Sequence, residues 1–193
     1  MRLFTPLYDW VLARSQHPQA TYWLAGLSFA ESSFFPVPPD VMLAPMVLAQ
    51  RARAFRLAAL TTVASVAGGL VGYLIGVFVL GSIEPWLLTS SYAEAYTQAR
   101  VWFAEYGIWV VFVAGFSPIP YKIFTIGAGA AAMNLPLFVL ASAVGRGARF
   151  FLVAGLIYLG GDAAAANLRR YVDTIGWFVV LLVAGGLAWY FVH

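Results

Sequence analysis

The chain has 193 residues, 62% of them apolar or aromatic and only 10% charged, with a formal charge of +3 and a mean hydropathy of +0.83. A soluble domain carries roughly 25% charged residues, so the polar surface needed to face water is missing and lipid must cover the remainder. With no Cys, disulfides and thiolate chemistry are excluded, and with two His in the whole chain neither a metal centre nor any other cofactor site is expected.

Residues 1–18 interleave Leu3, Phe4, Leu7, Trp10 and Val11 with Arg2, Asp9 and Arg14, the pattern of an amphipathic helix lying at a membrane surface and not of a signal peptide. The apolar stretch 20–49 is interrupted by PVPP at 36–39. Each Pro lacks an N–H and pushes its predecessor out of the α region, so a straight helix is excluded there and two half-helices are predicted. Residues 57–80 are a spanning run, and Ala64, Gly68, Gly72 and Gly76 form a small-residue ladder on one face of it. That ladder packs within the monomer or, alternatively, forms an oligomer seam through Gly68, Gly72 and Gly76.

The linker 81–105 holds Glu84, Glu94 and Glu105 against Arg100. The stretch 106–133 is again broken by prolines, PIP at 118–120, and is followed by a third run, 135–160, carrying Arg146 and Arg149 near its middle. Residues 174–192 form a last span. Linkers 50–56 (Arg51, Arg53, Arg56) and 162–173 (Arg169, Arg170) are cytoplasmic by the positive-inside rule, and the acidic linker 81–105 is outside. This parity makes 20–49 a hairpin dipping in from the cytoplasm and 106–133 one dipping in from outside, with the N-terminus cytoplasmic and the C-terminus external. Trp86, Trp102, Trp109 and Trp177 fall near span ends, where interfacial anchors belong.

Phe34-Phe35-Pro36-Val37-Pro38-Pro39-Asp40 aligns with Phe116-Ser117-Pro118-Ile119-Pro120-Tyr121-Lys122 at an offset of 82 residues. The predicted fold is therefore an all-α polytopic membrane protein, a single domain over 1–193. It holds two inverted repeats, 20–80 and 106–160, each a Pro-broken re-entrant hairpin plus a span, and one extra C-terminal span. Opposed broken helices meeting at the midplane are a transporter architecture.

Five ionisable residues lie within the apolar stretches: Glu31, Asp40, Lys122, Arg146 and Arg149. Such residues are expensive in lipid and must face a polar interior and pair. Two acids against three bases leave one positive charge in excess, which suits an anionic ligand. Asp40 and Lys122 occupy equivalent repeat positions, so a salt bridge between them is expected. Pro39 and Asp40 read as the start of a half-helix, whose free N–H groups, with Lys122, Arg146, Arg149 and the tip prolines Pro38 and Pro120, form the expected phosphate-headgroup site. Glu31 is either a proton carrier or an ion-pair partner of one of the arginines, and Asp40 shares that role.

The segments ESSFFPVPPD, GFSPIPYKIFTIGAG and GRGARFFLVAGL, in this order, resemble the DedA family and most closely its YqaA branch, which carries the VTT (SNARE-associated Golgi protein) domain. The resemblance implies a bacterial inner-membrane protein with two opposed re-entrant hairpins, implicated in moving lipids between leaflets, with undecaprenyl phosphate recycling, phospholipid scrambling and proton-motive force among the family's associations. Glu31 and Asp40 match acids important in the family. The two arginines of the main branch's Gly-Arg-Phe-x-Pro-Gly-x-Arg motif are not reproduced: Phe116-Ser117-Pro118 stands in place of the first, and Lys122, a point charge without the guanidinium fork, in place of the second.

The leading expectation is a translocase for a phosphate-bearing lipid such as undecaprenyl phosphate or phosphatidylethanolamine, with membrane lipids as its partners and the proton as coupling ion. A proton/cation antiporter and a structural membrane-homeostasis role are the alternatives. An enzyme is not expected, since His17 and His193 stand near segment ends without an acid pair. No stretch points to nucleic acid.

Overall fold

A computed structural model describes residues 17, 19–35, 37–90, 93–117, 121–161 and 163. The predicted amphipathic helix at 1–18 and the span at 174–192 lie outside these residues. The described residues form helices and turns with no strand: α1 (Ala20–Ser33), α2 (Asp40–Ala49), a 3-10 turn (Arg51–Arg53), α3 (Ala54–Thr89), α4 (Ala93–Phe116), α5 (Tyr121–Ala130) and α6 (Leu135–Gly161). Both proline clusters break the chain where the missing donors require it, between α1 and α2 and between α4 and α5.

α3 and α6 are long and apolar enough to cross a membrane. At 1.5 Å per residue, their 36 and 27 residues run about 54 and about 40 Å, beyond the ~30 Å of a hydrocarbon core. The linker 81–105 departs from expectation, because it is mostly helical. α3 continues through Pro85 to Thr89, and α4 starts at Ala93. A proline within a helix removes one hydrogen bond and need not end it when neighbouring packing holds the axis. Here Arg100 on α4 bridges back to Glu84 on α3 at 2.8 Å.

The register of contacts fixes the helix directions. Ser28 meets Thr61 and Ser32 meets Ser65, rising in step, so α1 runs parallel to α3. Gly72 lies against Thr125 and Gly76 against Ala130, so α5 also runs with α3. α6 runs against α3, since Gly69 approaches Phe138 while Ser65 meets Arg146. α4 follows α6, with Gly145 on Phe112 and Arg149 on Ser117. α2 also follows α6, with Asp40 beside Arg149 and Arg51 beside Gly161.

Polar and apolar residues are arranged inside out. Large apolar side chains such as Val63, Phe78, Leu140, Leu152 and Leu159 are exposed, whereas Ser28, Glu31, Ser32, Thr61, Ser65, Thr125, Ser142 and Arg146 are buried. An apolar exterior around a polar interior is the economy of a protein solvated by lipid. One apolar cluster joins Leu24, Leu43, Met46, Leu57, Phe150 and Ile157, and a second joins Tyr73, Val111, Tyr121, Ala128, Phe138 and Ala141. Along α6 these clusters flank Ser142, Arg146 and Arg149, so the charged layer lies between two apolar layers. The glycine ladder of α3 faces its own chain: a Cβ at Gly68 would overlap the Phe29 carbonyl oxygen, and one at Gly76 that of Ile126. Of the two readings of that ladder, packing within the monomer is the one these contacts match.

Candidate functional site

Two charged centres sit in the layer between the apolar clusters. The first is built on Arg146, only 2% exposed in the middle of α6. Its guanidinium pairs with the Glu31 carboxylate from α1, and its Nε donates to the Ser65 hydroxyl from α3 at 2.6 Å. Ser32 closes the ring, with its hydroxyl 2.7 Å from that of Ser65 and 3.2 Å from Glu31 Oε2. The guanidinium carbon also lies 5.0 Å from the Tyr121 ring centroid and 4.7 Å from that of Phe150. Tyr121 is held in turn by its hydroxyl donating to Ser142. Arg146 thus ties α1, α3, α5 and α6 together, and a buried charge is stable only when paired and hydrogen-bonded in this way.

The second centre is where the two proline breaks meet. Arg149, one helical turn along α6, donates to Asp40 Oδ2 at 2.6 Å and to the carbonyl oxygen of Ser117. One guanidinium therefore holds the first residue of α2 and the residue that follows α4, a two-directional contact suited to the planar fork of Arg. Arg149 lies 14 residues from one end of α6 and 12 from the other, so the breaks meet near the middle of that helix. Lys122, in the first turn of α5 and partly exposed, reaches the other way and donates to the Phe34 carbonyl oxygen at 3.1 Å. Asp40 is 7% exposed, and its Oδ1 has no hydrogen-bond partner among the described residues.

These placements correct part of the sequence reading. The expected Asp40–Lys122 salt bridge is absent: Asp40 pairs with Arg149, and Lys122 bonds a backbone carbonyl. Arg146 and Arg149, three residues apart on one helix, divide between the two acids instead of converging on one site. Glu31 takes the ion-pair reading, with Arg146 as its partner. Among the described residues, Lys122 is the apolar-stretch cation without a carboxylate, and so the excess charge counted in the sequence.

α2 does begin at Asp40 with Pro39 as its N-cap, yet its first donors are not free. The N–H groups of Val41, Met42 and Leu43 bond to the carbonyls of Pro38 and Pro39 at 2.8–3.3 Å, which takes three donors out of the anticipated anion cradle. Pro38 is exposed at the first tip, and Pro120 lies outside the described residues. Sequence reasoning missed Ser32, Ser65, Tyr121 and Phe150. A signal for the first two was present, since Ser28 and Ser32 on α1 and Thr61 and Ser65 on α3 repeat hydroxyls every four residues on facing helices.

Comparison with known proteins agrees with the inside-out architecture. The VTT domain family profile matches residues 37–159. An uncharacterised protein of Haemophilus influenzae is 46% identical over 94% of this chain and 95% of its own length. An uncharacterised protein of Histophilus somni is 44% identical over the same shares. Undecaprenyl phosphate transporter A of Staphylococcus aureus is 40% identical over 63 residues, 33% of this chain and 30% of that protein. No solved structure matches the chain.

Proposed function

This chain belongs to the VTT-domain, or DedA, family, and from that premise we propose that it is a translocase moving a phosphate-bearing lipid, such as undecaprenyl phosphate or phosphatidylethanolamine, between the leaflets of a bacterial inner membrane. The observation that supports this reading is that residues flanking the two proline breaks, Asp40 and Ser117 on Arg149 and Lys122 on Phe34, meet near the middle of α6, with Lys122 lacking a carboxylate partner among the described residues. In it, α1–α2 and α4–α5 are re-entrant hairpins of two inverted repeats. They enter from opposite faces, as their opposed directions along α3 support.

The division of labour follows from bonding. Arg146 and Glu31, matched to each other and to the hydroxyls of Ser65 and Ser32, hold the helices in place. Lys122, partly exposed at the tip contact, offers its ammonium to the phosphate, while the acyl or prenyl chain stays in lipid along the apolar exterior. A headgroup reaching Lys122 competes with the Phe34 carbonyl and so loosens one of the contacts that hold the tips together. The antiporter alternative is disfavoured because both acids already face guanidinium groups, and the charge left over is positive.

The test is headgroup translocation in reconstituted liposomes, with labelled undecaprenyl phosphate and labelled phosphatidylethanolamine in parallel. Wild type moves at least one of them, and Lys122→Ala slows it about tenfold, the scale of one lost charge-assisted hydrogen bond. Absence of flux for both lipids under any pH gradient would refute the proposal.

A further inference from the structure

We propose that Oδ1 of Asp40 is an acceptor subsite that selects headgroups carrying an N–H or O–H donor beside their phosphate. This rests on the translocase reading above. A buried carboxylate oxygen without a donor is uncommon, because an unmet acceptor loses its hydration and recovers nothing. Asp40 is in this state among the described residues. Arg149 is committed to Oδ2 and to the Ser117 carbonyl. The N–H groups of Val41, Met42 and Leu43 bond to the carbonyls of Pro38 and Pro39, and Lys122 bonds to Phe34. Among the described residues no group fills Oδ1.

A phosphate oxygen cannot fill it either, since two anionic acceptors repel. The missing partner is a donor brought by the ligand whose phosphate Lys122 takes. Three headgroup chemistries supply one: the ammonium N–H of an ethanolamine ester, the hydroxyl of a glycerol ester, and the P–OH of a singly protonated phosphate monoester. A choline ester supplies none, because its nitrogen is quaternary. Asp40 thus acts as a specificity-determining residue and Lys122 as the general phosphate contact.

The experiment is a methylation series on wild-type protein in phosphatidylcholine liposomes, with labelled phosphatidylethanolamine, its N,N-dimethyl analogue and phosphatidylcholine on identical acyl chains. Labelled phosphatidylglycerol and undecaprenyl phosphate distinguish the other donor sources. The ethanolamine and dimethyl lipids each keep an N–H and are expected to move at similar rates, with choline about tenfold slower or more. This step follows donor count and not headgroup size. Asp40→Asn, which retains the shape and removes the charge, is expected to shrink the step while the loss caused by Lys122→Ala persists. A choline lipid moving as fast as the ethanolamine lipid, or a rate falling evenly with each methyl, would overturn the subsite and leave the translocase reading standing. If no lipid moves, the translocase reading fails, and the subsite with it. The wild-type series decides the matter even if Asp40→Asn fails to fold.

Discussion

Glu31→Gln removes the charge facing a guanidinium that is 2% exposed and otherwise enclosed by Ser65, Tyr121 and Phe150. Breaking a buried ion pair from one side leaves an uncompensated charge and costs about 3–5 kcal/mol. Each kilocalorie lowers the midpoint of a chain of this length by about 2–4 °C, so the single variant should melt roughly 6–20 °C below wild type. Replacing both partners removes the stranded charge. Glu31→Gln with Arg146→Met should therefore recover at least half of the loss, with a coupling energy of about 2–3 kcal/mol in the double-mutant cycle. The assay is thermal unfolding of the four proteins in one detergent, read by size-exclusion retention of the folded species. A shift under about 3 °C for Glu31→Gln, or strictly additive losses in the double variant, would refute the assignment of Glu31 and Arg146 as the pair that holds α1 to α6.

Two further outcomes are expected. Gly68→Ala forces a Cβ onto the Phe29 carbonyl oxygen and should cost about 1–3 kcal/mol in the same melt, whereas Gly26→Ala, with nothing within 4 Å of the new Cβ, should be neutral or stabilising by up to ~1 kcal/mol. Because the chain has no Cys, single cysteines can be introduced directly. Arg53→Cys is expected to react with an impermeant maleimide only from the cytoplasmic side and Glu84→Cys only from outside, and labelling of both from one side would overturn the opposed-hairpin topology.

Much of the architecture is local and was legible in the residues. The break points of both hairpins follow from Pro36, Pro38, Pro39, Pro118 and Pro120, since a missing N–H acts wherever it stands. Spanning length and the excess of one positive charge are likewise properties of composition along a segment. Pro85 is the complementary case: its cost is local, but whether the helix survives it depends on what packs around it, here including Arg100 on Glu84.

The net charge of the apolar stretches and their length were determined by the sequence alone, because both are sums over residues along a segment. The identity of each partner was decided only by the tertiary structure. Glu31 and Arg146 are 115 residues apart and Asp40 and Arg149 are 109 apart, so nothing in their local spacing chooses between them and Lys122. The choice is made by helix register: α1 brings Glu31 to the level of Ser65 and Arg146, while the break after α1 carries Asp40 one turn further along α6, to Arg149. The unmet oxygen of Asp40 belongs to the same category, because a hydrogen bond left unmade among the described residues is visible only in their three-dimensional placement.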